Sequence, residues 1–119
     1  MRFVCLGFLD QAGWEAAPDS ERMLAYDNEL RRGGHFLGRE LLQPPQNAAT
    51  VRYQTGQAVV AGGPHAGTQE HLGVILFLEA RDLNHAIQLM ATHPCVRAGP
   101  FEIRPLVEGP DSIVTTTET

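Results

Sequence analysis

The stretch "GGPHAGTQEHLG", Gly62 to Gly73, carries His65, Glu70 and His71 on a glycine-rich turn that runs straight into an apolar segment. An imidazole beside a carboxylate is the pairing a general base needs, because the acid stabilises the imidazolium and moves its pKa across neutrality. His65 with Glu70 is therefore the candidate catalytic pair. The alternative is a surface histidine on a loop whose glycines merely permit the bend. Glu40, Gln43, Arg52 and Arg104 are polar residues in or beside predicted strands, and they are the candidate ligand-binding set. A guanidinium presents a fork that matches a carboxylate, so Arg52 and Arg104 would hold an anion. The competing reading pairs them across strands with Glu40, Glu79 or Glu102. His65 and His71 stand six apart across a turn with no third ligand nearby, which is no recognised metal spacing, and no metal is expected. Cofactors are not expected either. There is no nucleophile-elbow, phosphate-loop or dinucleotide fingerprint, and the glycine-rich turn precedes a strand instead of a helix.

These residues must be positioned by a small scaffold. The 119 residues allow one domain with one modest core, and 43% hydrophobic with 19% charged residues is the balance of a folded soluble chain. "RFVCLGFL", Arg2 to Leu9, and "LGVILFLEA", Leu72 to Ala80, are continuously apolar, as expected of central strands. Between them "DSERMLAYDNELRRGG" predicts a helix with Asp19 or Ser20 as N-cap, a Met23, Tyr26, Leu30 stripe and a stop at Gly33 and Gly34. "HFLGRELLQPP" gives a short strand, and "ATVRY" with "QAVVA" a hairpin turning at Thr55 and Gly56. "DLNHAIQLMATHP" predicts a second helix capped by Asp82, and "FEIRPLV" a last strand. Trp14 falls in the connection to the first helix, as a core cap or a lid over a cleft. Tyr26 is expected to pack in the core, and His35, His85 and His93 to lie on the surface. Residues 1–108 form the domain and residues 109–119 a polar tail.

With the hairpin set aside as an insertion, the order is the β-α-β-β-α-β of an α+β, ferredoxin-like domain. Two helices cover one side of four strands. Both central strands are apolar on both sides, so a second copy is expected to cover the other, giving a homodimer.

Fourteen acidic against nine basic residues give a net charge of -5, with no basic stripe, so no nucleic-acid partner is expected. The N-terminal apolar run stops at Asp10 and has no small-x-small cleavage site, so it reads as a strand and not as a secretion signal. No segment approaches the roughly 18 apolar residues of a membrane span, and no membrane partner is expected. Cys5 and Cys95 have no framework or metal-knuckle spacing and read as free thiols in the cytoplasm.

The runs "GRELLQPP", "ATVR", "GGPHAGTQEHLG", "LEARDLNHAI" and "FEIRP" resemble, in that order and over nearly the whole chain, the YCII-related proteins of the DGPF branch. Matching positions include Gly38, Glu40, Gln43, Pro44, Thr50, Arg52, Gly63, Pro64, Thr68, Glu70, Glu79, Asp82, Glu102 and Arg104. The resemblance implies a ferredoxin-like domain pairing as a dimeric α/β barrel, an architecture similar to that of muconolactone isomerases and small monooxygenases. It also implies an association with extracytoplasmic-function sigma factors, and for the YCII branch a His and Asp pair. Here Gly62, Gly63, Pro64 and His65 stand where the branch has Asp-Gly-Pro-Phe, and Met23 stands at the helical histidine position. Two expectations stay open. One is a homodimeric domain that binds a small, anionic organic ligand and performs metal-free isomerase or lyase chemistry by proton transfer. The other is a non-enzymatic regulatory module with a protein partner.

Overall fold

In the computed structural model, residues 1–15, 20–65 and 69–108 are described. Strand β1 spans Arg2–Leu9 and is followed by a one-turn helix α1, Gln11–Glu15, which the sequence reading had left as a connection. Its cause is local: the Asp10 carboxylate accepts from Gly13 N at 2.7 Å and caps the turn that carries Trp14. Helix α2 spans Ser20–Arg32, with Ser20 its first residue; the alternative cap, Asp19, lies outside the described residues, as does the tail from 109 onward. α2 ends as its glycines dictate. His35 N reaches Leu30 O at 2.8 Å while Gly34 takes φ 80°, a left-handed conformation that favours glycine.

Strand β2 spans Phe36–Leu41, β3 Ala49–Gln54, β4 Gln57–Gly62, β5 His71–Glu79, α3 Leu83–Ala91 and β6 Phe101–Pro105. One antiparallel sheet has the order β2-β5-β1-β6, with the two continuously apolar strands at its centre. This is the ferredoxin-like topology expected from the sequence. The β3–β4 hairpin forms a separate two-stranded sheet. Its turn has positive φ at both Thr55 (45°) and Gly56 (83°), the type I′ geometry whose twist suits a two-residue hairpin. As expected, Asp82 caps α3, its side chain accepting from His85 N.

Alternation along β1 and β5 divides the sheet into two faces. Phe3, Cys5, Leu76 and Leu78 are fully buried beneath α2 and α3, joined there by Leu30, Ala86 and Met90. Val4, Leu6, Ile75 and Phe77 point the other way and are half-buried, and among the described residues no helix lies over them. In register across that open face, Glu40 lies opposite Ile75, Glu102 opposite Leu6 and Arg104 opposite Val4. It is an apolar centre between charged edges.

Candidate functional site

Where β1 ends and β5 begins, the sheet is interrupted by a bulge between Gly7 and Phe8. Beyond it the chain opens into a cleft of 1060 Å³. Three segments build its walls. Phe8 and Leu72 come from the central strands, Leu42 to Pro45 continue β2, and Gln69, Glu70 and His71 lead into β5. The two prolines end β2 because neither can donate to the ladder, and Pro45 starts a short 3-10 turn that places Asn47 on the rim. Asn47 Nδ2 donates to Gln43 Oε1 at 3.1 Å and holds that amide at the wall.

The cleft presents two acids, Asp10 and Glu70, one histidine, His71, and no arginine. One Asp10 oxygen is already committed to capping α1. A smaller cleft of 340 Å³ shares Asp10, Gln69 and His71 and adds Trp14. The indole lies against Gly73, where a Cβ would come within 2.8 Å of the ring, so the glycine makes room for the tryptophan. Trp14 thus forms a side wall where the sequence left a choice between core cap and lid.

Of the candidate catalytic and ligand-binding residues, Gln43 and Glu70 line the large cleft, while His65, Glu40, Arg52 and Arg104 do not; His71 of the same turn lines it too. His65 is exposed beyond the rim at Pro64, and its Nδ1 accepts from Arg52 Nη2 at 3.2 Å, which leaves the ring proton on Nε2. Arg52 therefore meets a histidine, not a glutamate. Arg104 lies 3.8 Å from Glu102 on the open sheet face, with both side chains more than half exposed. Glu40 stands exposed on the opposite edge of the same face. Among the described residues no group of three or more His, Cys, Asp or Glu side chains is arranged to hold a metal ion. Cys5 and Cys95 are free and buried, and burial pushes the Cys5 thiol up to about 12.

His93 requires a correction. Expected on the surface, it is 2% exposed: its Nδ1 accepts from Cys95 N at 3.0 Å, capping the turn that Pro94 begins, and the ring stands edge-on to Tyr26 at 5.0 Å. Loss of water lowers its pKa to about 4, against a smaller opposing pull from Asp27. Asp27 is itself buried and bonded to Arg39 Nε at 2.6 Å. Asp27 Oδ1 and His93 Nε2 have no hydrogen-bond partner among the described residues. The one available sequence signal was Asp27 on the core stripe of α2, four residues after Met23 and three before Leu30. Tyr26 is more than packing, since its hydroxyl reaches Leu89 O and Thr92 Oγ1, both at 2.6 Å, and ties α2 to α3. His35 and His85 are half-buried and edge-on to each other, which also moves them off the open surface.

At the cleft's rim, Gly63 takes φ 94° and its N–H donates to Ala48 O at 2.7 Å, closing the hairpin's base. Glycine is needed there, whereas Gly62 before it has ordinary backbone and open space around it. Comparison with curated proteins finds no match. The family model of the YCII-related domain matches residues 1–109, which takes in every strand and helix described above. The chain therefore belongs to the YCII-related domain family.

Proposed function

We propose that this chain is a homodimeric, ligand-binding YCII-related domain of the DGPF branch, whose cleft at the end of the sheet takes a small organic molecule. The observation that carries the reading is the cleft itself, with an apolar floor at Phe8, Leu42 and Leu72 and a polar rim at Gln43, Glu70 and His71. Concave, largely apolar sites with a few convergent polar groups are the usual form of ligand pockets. Because the rim carries acids and, among the described residues, no arginine, the favoured ligand has an apolar body and a cationic or hydrogen-donating group, in place of the anion that Arg52 and Arg104 would have held. Proton transfer would fall to Glu70 with His71, adjacent on the rim, and the reaction class is metal-free isomerisation or elimination. His65, held outside by Arg52, would act at the entrance. Dimerisation through the open sheet face draws support from its uncovered apolar centre. A cytoplasmic location draws support from two buried free thiols, and among the described residues no helix is long and apolar enough to cross a membrane.

A test is titration of the labelled protein with a panel of small aryl amines and aryl carboxylates, followed by amide chemical shifts. Amines should perturb Gln43, Asn47, Glu70 and His71 together, and Leu72→Glu should abolish the response. Perturbations scattered elsewhere, or none from any member, would remove the ligand-binding reading. The regulatory-module alternative would then lead, since Val51, Tyr53 and Val60 expose an apolar surface suited to a protein contact.

A further inference from the structure

The β3–β4 hairpin has one largely apolar face, on which the Tyr53 hydroxyl is the single polar group. Cross-strand register places Val51 opposite Val60, Tyr53 opposite Ala58 and Ala49 opposite Gly62, all pointing to one side. Thr50, Arg52, Gln54 and Gln57 occupy the other, together with Val59 and Ala61. On the apolar side Val51 is 64%, Tyr53 76% and Val60 66% exposed. Among the described residues the only extensive packing of either strand is against the other. A lone two-stranded ribbon is marginal in water, and this one is well formed, with a closed turn and a base bolted by Thr50 Oγ1 to Gly63 O at 2.8 Å. Its apolar side calls for a cover.

We infer that the hairpin is an arm whose apolar face grips a second copy of this chain, reciprocally across a twofold axis. The inference rests on the homodimer proposed above and adds the element that completes its interface. Two observations favour a copy over another partner. First, the same chain carries a second uncovered apolar surface, the open sheet face, so a twofold pair can bury all four surfaces at once. Second, the sheet face alone is too small: four strands of this length give a footprint of about 500 Å², against the roughly 800 Å² per partner of a standard stable interface. The arm's apolar side adds about 200 Å², which closes most of the gap. The arm also springs from the cleft, since Asn47 and Ala48 before β3 and Pro64 after β4 all line it. Seating the arm on a partner would therefore fix the rim of the arm's own cleft.

Sedimentation equilibrium of the full chain tests this, with far-UV circular dichroism confirming that each variant is folded. Tyr53→Lys should weaken self-association roughly tenfold or more, because it places a charge where an aromatic is buried. Gln57→Lys adds the same charge to the polar side of the same arm and should leave the dissociation constant unchanged. Leu6→Glu, at the centre of the open face, should abolish dimers. If Leu6→Glu breaks the dimer and Tyr53→Lys does not, the arm is not in the interface and this inference fails while the homodimer stands. Equal weakening by both lysines also overturns it, because the effect would then be charge and not contact. A wild-type chain that stays monomeric at all concentrations overturns both.

Discussion

Two groups of polar side chains on this small sheet use similar chemistry in opposite surroundings. Beneath the helices, Asp27, Arg39 and His93 meet in the core, where Asp27 and His93 are each 2% exposed. At the other end of the exposure scale, Arg52 and His65 meet in open solvent at the foot of the arm. Burial sharpens the first group and leaves the second weak. A buried ion pair is costly to break, because removing one partner strands a desolvated charge, whereas an exposed contact is screened and contributes little. The buried histidine and carboxylate thus serve the fold, while the exposed polar groups stand at the cleft and the arm. A titratable group far from its ordinary pKa is often read as a functional one. Here His93 is the most displaced histidine, yet its Nδ1 is occupied by Cys95 N and its Nε2 is buried, so it has no free lone pair to offer a substrate.

The sharpest way to break this contrast is Arg39→Ala. It leaves the Asp27 carboxylate buried with neither of its oxygens paired to a cation, and the expected loss is about 3–5 kcal/mol of folding stability. Urea unfolding followed by circular dichroism measures it. A loss below about 1 kcal/mol would mean that water reaches Asp27 and that the pair is not a core element.

A smaller effect follows from pH. His93 in the folded chain titrates near pH 4, against an ordinary value of 6.5 in the unfolded chain. As pH falls below 6.5 the unfolded chain takes up a proton that the folded one refuses until about pH 4, so stability declines across that window and levels off beneath it. The shift corresponds to roughly 3 kcal/mol lost between pH 7 and pH 4. His93→Gln should flatten that part of the profile relative to the wild type, since the substitution removes the group whose proton uptake differs between the folded and unfolded chains. Parallel profiles would show that His93 is hydrated in the folded chain.

The same contrast explains what could be read from the sequence. Strand order, the central pair, the hairpin and the Asp82 cap were legible because each rests on local rules: unbroken apolar runs, a Thr-Gly turn, an acid at a helix start. The cleft was only partly legible. Gln43 and Glu70 were picked out, but Asp10 and Phe8 reach the same space from β1, some sixty residues away in sequence, and only the sheet's pairing brings them there. His93 was misplaced because a histidine after a helix ordinarily faces water. What turned it inward was the demand of Pro94 and Cys95 for a cap beneath Tyr26, a tertiary requirement invisible to helical periodicity. Likewise the sequence could not show that Arg52 and Arg104 do not converge, since one lies along the arm and the other on the open face.

The smallest expected effect lies at the foot of the arm, and it sharpens the comparison from the other side. His65→Ala removes an exposed contact 3.2 Å long between two solvated side chains, so folding stability should change by less than about 0.5 kcal/mol. Arg52→Ala should behave the same way, and the double variant should equal the sum of the two, because an exposed contact of this kind carries little coupling. Urea denaturation of the four proteins in a double-mutant cycle reads the coupling directly. A coupling above about 1 kcal/mol would show that Arg52 and His65 are shielded from water in the assembled protein. On the homodimer proposed above, such a result would move this pair from the exposed group into the buried one and make the arm's foot part of the interface.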